Sequence, residues 1–196
     1  DSTQGWIPLD DDVVADAPVP PPTYKAIFAY GYAGASIVSM SNLVNSSGVV
    51  ATDVTGVGTA RNQLAAAGYG LDKAIFGYGT TASVSSLTNL VNNSGVIAAD
   101  VSGVGTARKG LAAARYGVGL AIFGYGTTGS DSSLTNLVSS SGVVATDTTG
   151  VGTARNFLAA AGYGTDKAIF GYGRQPSNLS ITNLVTNVGV VGTDVT

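Results

Sequence analysis

A block of 47 residues recurs almost four times in this chain of 196, and no other feature restricts the fold as strongly. Asn-Leu-Val falls at 42–44, 89–91, 136–138 and 183–185, and an Asp follows in step at 53, 100, 147 and 194. Ala-Ile-Phe begins at positions 26, 74, 121 and 168, and Gly-Thr-Ala-Arg appears at 58–61, 105–108 and 152–155. Residues 74–120 and 121–167 align without a gap and match at 33 of 47 positions. Such a period implies like units, stacked or set in a ring, each too small to bury a core alone. A feature present in every block is expected to build the block rather than to perform chemistry.

Composition narrows the function. Apolar residues make up 44%, enough for a sizeable core, while charged residues make up only 11%, under half the usual quarter. There is no Cys, hence no disulfide, thiol nucleophile or thiolate metal site. There is no His, which removes the commonest general base and metal ligand. Asp is the only acidic side chain. These absences argue against an enzyme and predict no cofactor and no metal. A net charge of −3 with nine scattered Lys and Arg argues against nucleic acid as a partner. No run of 18 apolar residues is present to cross a membrane as a helix. No signal peptide is visible, and a start at Asp1 points to processing or to a piece of a longer chain. Low charge without Cys suits a virion or extracellular surface.

Residues 1–23 stand apart from the repeat. Five of the six prolines lie there, at 8, 18, 20, 21 and 22, and the 18–22 stretch reads as an extended polyproline-type linker. The segment is either a floppy tail or an assembly arm anchored by Trp6, Ile7 and Leu9. The acidic triplet Asp10-Asp11-Asp12 reads as a solvated charge cluster. The remainder, 24–196, divides into repeats at 24–60, 61–107, 108–154 and 155–196.

Each repeat reads as four short strands joined by hairpin-length turns. In the last copy these are 155–164, 167–173, 179–185 and 189–194. A helix is the local rival for the Ala-rich run, but it would span only about two turns before Gly-Tyr-Gly. The second strand, Ala-Ile-Phe-Gly-Tyr-Gly, carries no charge on either side, so both of its faces are expected to be covered by neighbouring sheets. Small sheets packed face to face around an axis describe a β-propeller.

The block resembles a Kelch-type propeller blade over Gly-Thr-Ala-Arg-x-x-Leu-Ala-Ala-Ala-Gly-Tyr-Gly-x-Asp-Lys-Ala-Ile-Phe-Gly-Tyr-Gly. That pattern has an Arg before the first strand, small residues within it and a glycine pair ending the second. Here the pair is Gly77-Tyr78-Gly79, and the Trp near the end of a Kelch repeat is absent. Residues 24–196 also resemble tandem repeats of aquatic bacteriophage proteins, often tail or fibre-like. The resemblance implies an all-β propeller of about four four-stranded blades and a structural setting, with a homo-oligomer or other proteins of the same particle as partners. The Ala-rich strand occurs only three times, at 61–70, 108–117 and 155–164, so the first blade lacks it. An open edge of this kind is normally covered, by the arm, by a strand from a neighbouring chain, or by further repeats beyond residue 196.

Recurrent polar and aromatic residues are the candidate sites. Arg61, Arg108 and Arg155 follow Asp53, Asp100 and Asp147 by eight residues. They read as structural, with Arg bonding backbone or Asp at a blade junction, the rival being a ring of ligand-binding arginines. Tyr78, Tyr125 and Tyr172 read as packing between blades or, alternatively, as ligand-stacking rings of a glycan- or receptor-binding adhesin. Gly124-Tyr-Gly-Thr-Thr-Gly129 matches a dinucleotide fingerprint, but no helix is expected after it, so turn glycines are the reading. The expected function is assembly of a phage particle or extracellular appendage, with a cell-surface glycan as the alternative partner.

Overall fold

Strands appear wherever the repeat places Ala-rich, Ala-Ile-Phe and Asn-Leu-Val runs. The computed structural model describes residues 26–196, so the expected arm at 1–23, with Trp6, Ile7 and Leu9, lies outside the described residues. The first block contributes an antiparallel hairpin of β1 (Ala26–Ala33) and β2 (Ser36–Val44). The second gives β3 (Ala65–Tyr69), β4 (Lys73–Gly77) and β5 (Thr88–Val91). The third gives β6 (Ala112–Tyr116), β7 (Leu120–Gly124) and β8 (Thr135–Val138). The fourth gives β9 (Ala159–Tyr163), β10 (Lys167–Gly171), a small ribbon of β11 (Arg174–Gln175) and β12 (Ser177–Asn178), and β13 (Thr182–Val185). The chain is all-β among the described residues. Its larger sheets run β3-β4-β5, β6-β7-β8 and β9-β10-β13, every pairing antiparallel.

The register repeats with the sequence. Ile75 lies between Ala67 and Leu90, and Ile122 between Ala114 and Leu137. The Ala-rich run is a strand and not a helix, but the strand is shorter than expected. In the fourth block 155–158 lies outside it, and Phe157 there has a φ of 50°, a value that regular strands do not use.

The sheets have three strands, not four. The expected fourth strand at 189–194 is absent, and in place of a ladder the segment makes the isolated bridges Val185↔Val191 and Thr182↔Val195. Side chains explain the gap. Asn183 Nδ2 donates to the Gly192 carbonyl at 3.0 Å and to Asp194 Oδ1 at 2.9 Å, where a regular ladder would use backbone groups. Asn89 and Asn136 do the same with Ala98 and Asp100, and with Ala145 and Asp147.

Successive sheets pack face to face. Their first strands are mostly Ala and Gly, so the backbones approach closely. A Cβ on Gly162 would come within 3.2 Å of the Arg115 carbonyl oxygen. Backbone bonds tie successive blocks at both ends of these strands. Gly110 N–H donates to Gln63 O (2.9 Å) and Phe157 N–H to Gly110 O (2.7 Å). At the other end Gly70 N–H donates to Gly119 O (2.8 Å) and Gly117 N–H to Asp166 O (2.7 Å). Farther out, Leu90 and Leu137 of the third strands reach under the glycine turns of the next blocks, at Gly142 and Gly189. The core therefore lies between sheets. Tyr69, Ile75, Tyr78, Phe123 and Val138 form one cluster, and Tyr116, Ile122, Tyr125, Phe170 and Val185 the next.

The second strand is covered on both faces in the middle of the molecule, where β7 is buried from Ala121 through Gly124. At the ends it is not. Phe28 in β1 is 63% exposed, although its counterparts Phe76, Phe123 and Phe170 are buried.

Candidate functional site

Each junction between blocks is organised by one arginine. Arg108 is fully buried. Its Nε donates to the Tyr125 carbonyl at 2.8 Å, Nη1 to the Thr106 carbonyl at 3.0 Å, and Nη2 to Asn136 Oδ1. Nη1 also lies 3.7 Å from Asp147 Oδ1. The guanidinium plane sits 4.5 Å from the ring centroid of Tyr78 in the preceding block, a cation–π contact strengthened by desolvation. The Tyr78 hydroxyl donates to the Val104 carbonyl at 3.1 Å, and its ring meets Phe123 edge-on at 5.2 Å. Arg61 repeats the arrangement with the Tyr78 carbonyl, Thr59, Asn89, Asp100 and the Tyr30 ring.

Asp147 completes the knot. It accepts from the Thr106 N–H at 2.9 Å, Thr106 Oγ1 at 2.6 Å and Asn136 Nδ2 at 2.9 Å. A Cβ on Gly105 would collide with this carboxylate, which is why glycine opens Gly-Thr-Ala-Arg. Partial burial pushes the Asp147 carboxyl up. The Thr106 and Asn136 side chains, the Thr106 N–H and the Arg108 charge outweigh it and hold the pKa below the usual carboxylate value. Asp100 is held down in the same way through Thr59, Asn89 and Arg61. Burial pushes Tyr78 up to about 12, with the Arg108 charge pulling against it.

The ion pairs differ from the expected ones. Arg61 meets Asp100 and Arg108 meets Asp147, so both of these arginines use the Asp that comes after them and not the one eight residues before. Asp53 instead accepts from Asn42 Nδ2 at 2.8 Å. Arg155 keeps its bonds to the Tyr172 and Thr153 carbonyls and its place over Tyr125. Its Nη2 and Asn183 Oδ1 are both buried without a partner, so the last knot is looser than the two before it.

All three arginines are fully buried and turned away from solvent, which overturns the ring of ligand-binding arginines. Tyr78 and Tyr125 are also fully buried, between an arginine and a phenylalanine, and neither ring is open to a ligand. Tyr172, which no Arg or Phe covers, is 63% exposed. The Asn residues absent from the candidate sites read from the sequence, Asn89, Asn136 and Asn183, are buried and central. The signal was the constant spacing of 28 residues between each arginine and its Asn. Gly124 to Gly129 forms a strand end and turn with no helix after it, as the turn reading expected.

Two of the surface hollows lie among the described residues. One of ≈ 590 Å³ lies between the first hairpin and the second sheet, lined by Ala26, Ile27, Ala66, Gly68, Leu71 and Lys73. It falls where a first strand would cover β3, as β3 is covered by β6 on its other face. The second, of ≈ 540 Å³, is polar and lies between Thr127, Asp131, Asn156, Arg174 and Pro176. Among the described residues no three acidic side chains come together to hold a metal. Comparison with protein-family models and with curated proteins finds no match for this chain.

Proposed function

We propose that this chain is a non-catalytic assembly protein of a phage particle or extracellular appendage, built from propeller-type repeats. One observation carries the reading. The recurring Arg, Thr, Asn and Asp side chains are consumed in joining one block to the next, and their charges are buried against each other rather than aimed into a hollow. The close approach of the first strands, with leucines spacing the third strands, is what blades converging on an axis require. The setting comes from the resemblance of residues 24–196 to phage tandem repeats. The hollow beside β1 and β3 supports assembly through an unpaired edge, since an extended segment fits such a site by main-chain pairing.

A glycan-binding adhesin is the second reading. Tyr172 favours it, because its exposed ring sits at the end of the stack and near Arg174. Electron microscopy of the purified full chain, beside a version lacking residues 1–23 and a glycan array probed with both, separates the two. Ordered assemblies that disappear on deletion support the assembly reading. A single chain that binds glycans equally well with or without residues 1–23 overturns it.

A further inference from the structure

We propose that the outer face of the fourth block is a socket for Phe28 of a second copy of this chain, so that copies stack head to tail. The proposal rests on the assembly reading and names its interface.

The internal junctions show what the face is built to hold. Three times a tyrosine of one block receives a phenylalanine of the next, edge-on. The pairs are Tyr30 with Phe76, Tyr78 with Phe123 and Tyr125 with Phe170, at 5.2–5.4 Å. In the two later pairs the ring also lies on the glycine before the tyrosine. A Cβ there would come within 2.7 Å of Phe123 at Gly77, and within 2.6 Å of Phe170 at Gly124. All of these tyrosines hold a left-handed backbone, with φ of 64°. That conformation is unfavourable for a non-glycine residue, and the hydroxyl bond, the guanidinium and the phenylalanine offset it.

The fourth block has the same parts and no occupant among the described residues. Tyr172 keeps φ at 62° while its ring is exposed. Gly171 remains glycine although a Cβ would meet nothing closer than Thr182 at 3.6 Å. The N–H of Gly31, Gly79 and Gly126 each donates to the carbonyl of the next block's arginine, and Gly173 has no such acceptor. Tyr163 and Leu184 of the same face are exposed, while their counterparts Tyr116 and Leu137 are packed against Gly189.

The matching knob is at the other end of the chain. Phe28 occupies the position of Phe76, Phe123 and Phe170, and is as exposed as Tyr172, at 63% for each. The two ends of one chain therefore do not cover each other. Knob and socket lie on different surfaces of each copy, so the contact is heterologous and each added copy presents a fresh socket. Val13 stands in step with Arg61 in the sequence, so the incoming copy brings no guanidinium from that position. The contact is apolar, and weaker than the internal junctions.

Sedimentation of the full chain tests this with two variants. Gly171→Val fills the socket at a position with room for a side chain, and Phe28→Ser removes the knob at an exposed one. The mean mass of the parent chain should rise with concentration, and each variant alone should remain a single chain. Mixed, the two should form a one-to-one pair that grows no further, since only one knob and one socket remain usable. A parent chain that stays single at every concentration overturns the proposal, as does a mixture without pairs. If both variants assemble as the parent does, the socket is wrong while the assembly reading stands.

Discussion

Tyr125 and Tyr172 occupy the same place in consecutive blocks, with nearly the same backbone dihedral, and differ only in whether another block packs on top of them. Tyr125 is wholly buried beneath Arg155 and against Phe170, whereas Tyr172 is mostly in water. Phe123 and Phe28 make the same contrast at the other face of the block. Burial here is a property of the neighbour and not of the residue. Stability in such an array is a sum of unit and interface contributions, and the interfaces dominate where units are thin.

Substitutions at matched positions can break that contrast. The largest effect is expected for Arg108→Met. It leaves the Tyr125 and Thr106 carbonyls and Asn136 Oδ1 without their donor, and each buried polar group left unpaired costs about 1–3 kcal/mol. Urea unfolding should show it, and Arg155→Met should cost less, because the Arg155 Nη2 is already unpartnered. An equal loss at both sites would refute the account of a looser last knot. Phe123→Ala should cost about 3–5 kcal/mol, whereas Phe28→Ala in the separate chain should stay within about 0.5 kcal/mol. A large loss at Phe28 in dilute solution would mean that its face is already covered.

Glycine substitutions sharpen the comparison further. Gly124→Ala drives a Cβ into the Phe170 ring and should cost about 1–3 kcal/mol. Gly171→Ala meets open space and should be neutral or stabilising by up to about 1 kcal/mol. Differential scanning calorimetry of the two variants side by side reads the difference directly.

The smallest expected effect is on pH dependence. The folded pKa values of Asp100 and Asp147 lie below their unfolded values. Their contribution is therefore complete above the ordinary carboxyl pKa of about 4. It is lost as pH falls through the folded values. Both carboxylates are partly open to water, which limits the size of the contribution. Urea midpoints measured from neutral to acid pH should fall less steeply in Asp147→Asn than in the parent chain. An unchanged slope would remove Asp147 from the account.

The sequence made the period, the Ala-rich strand and the covered second strand legible, because each is a local pattern of side-chain size and polarity. It did not disclose the arginine's partner. An Asp stands in step both before and after each arginine, so the repeat identifies the kind of partner but not which copy supplies it. The fourth strand misleads for a related reason. Gly-Val-Val is β-branched enough for a strand, but Asn183 and Asp194 bond through their side chains and hold the segment off the ladder. The fate of the Gly-Tyr-Gly tyrosines was also hidden, since an aromatic ring serves a ligand or a neighbouring sheet with the same local sequence. What decided it was the phenylalanine of the next block.

That side-chain bridge from Asn to Asp has a further consequence. A strand at the rim of a sheet offers its free amides and carbonyls to any passing chain. In this molecule the rims at β5, β8 and β13 are closed by a segment too irregular to act as a template. Sideways recruitment is thereby discouraged at each of these sheets, and the contact proposed between copies would have to form on the faces of the outer blocks rather than along the rims.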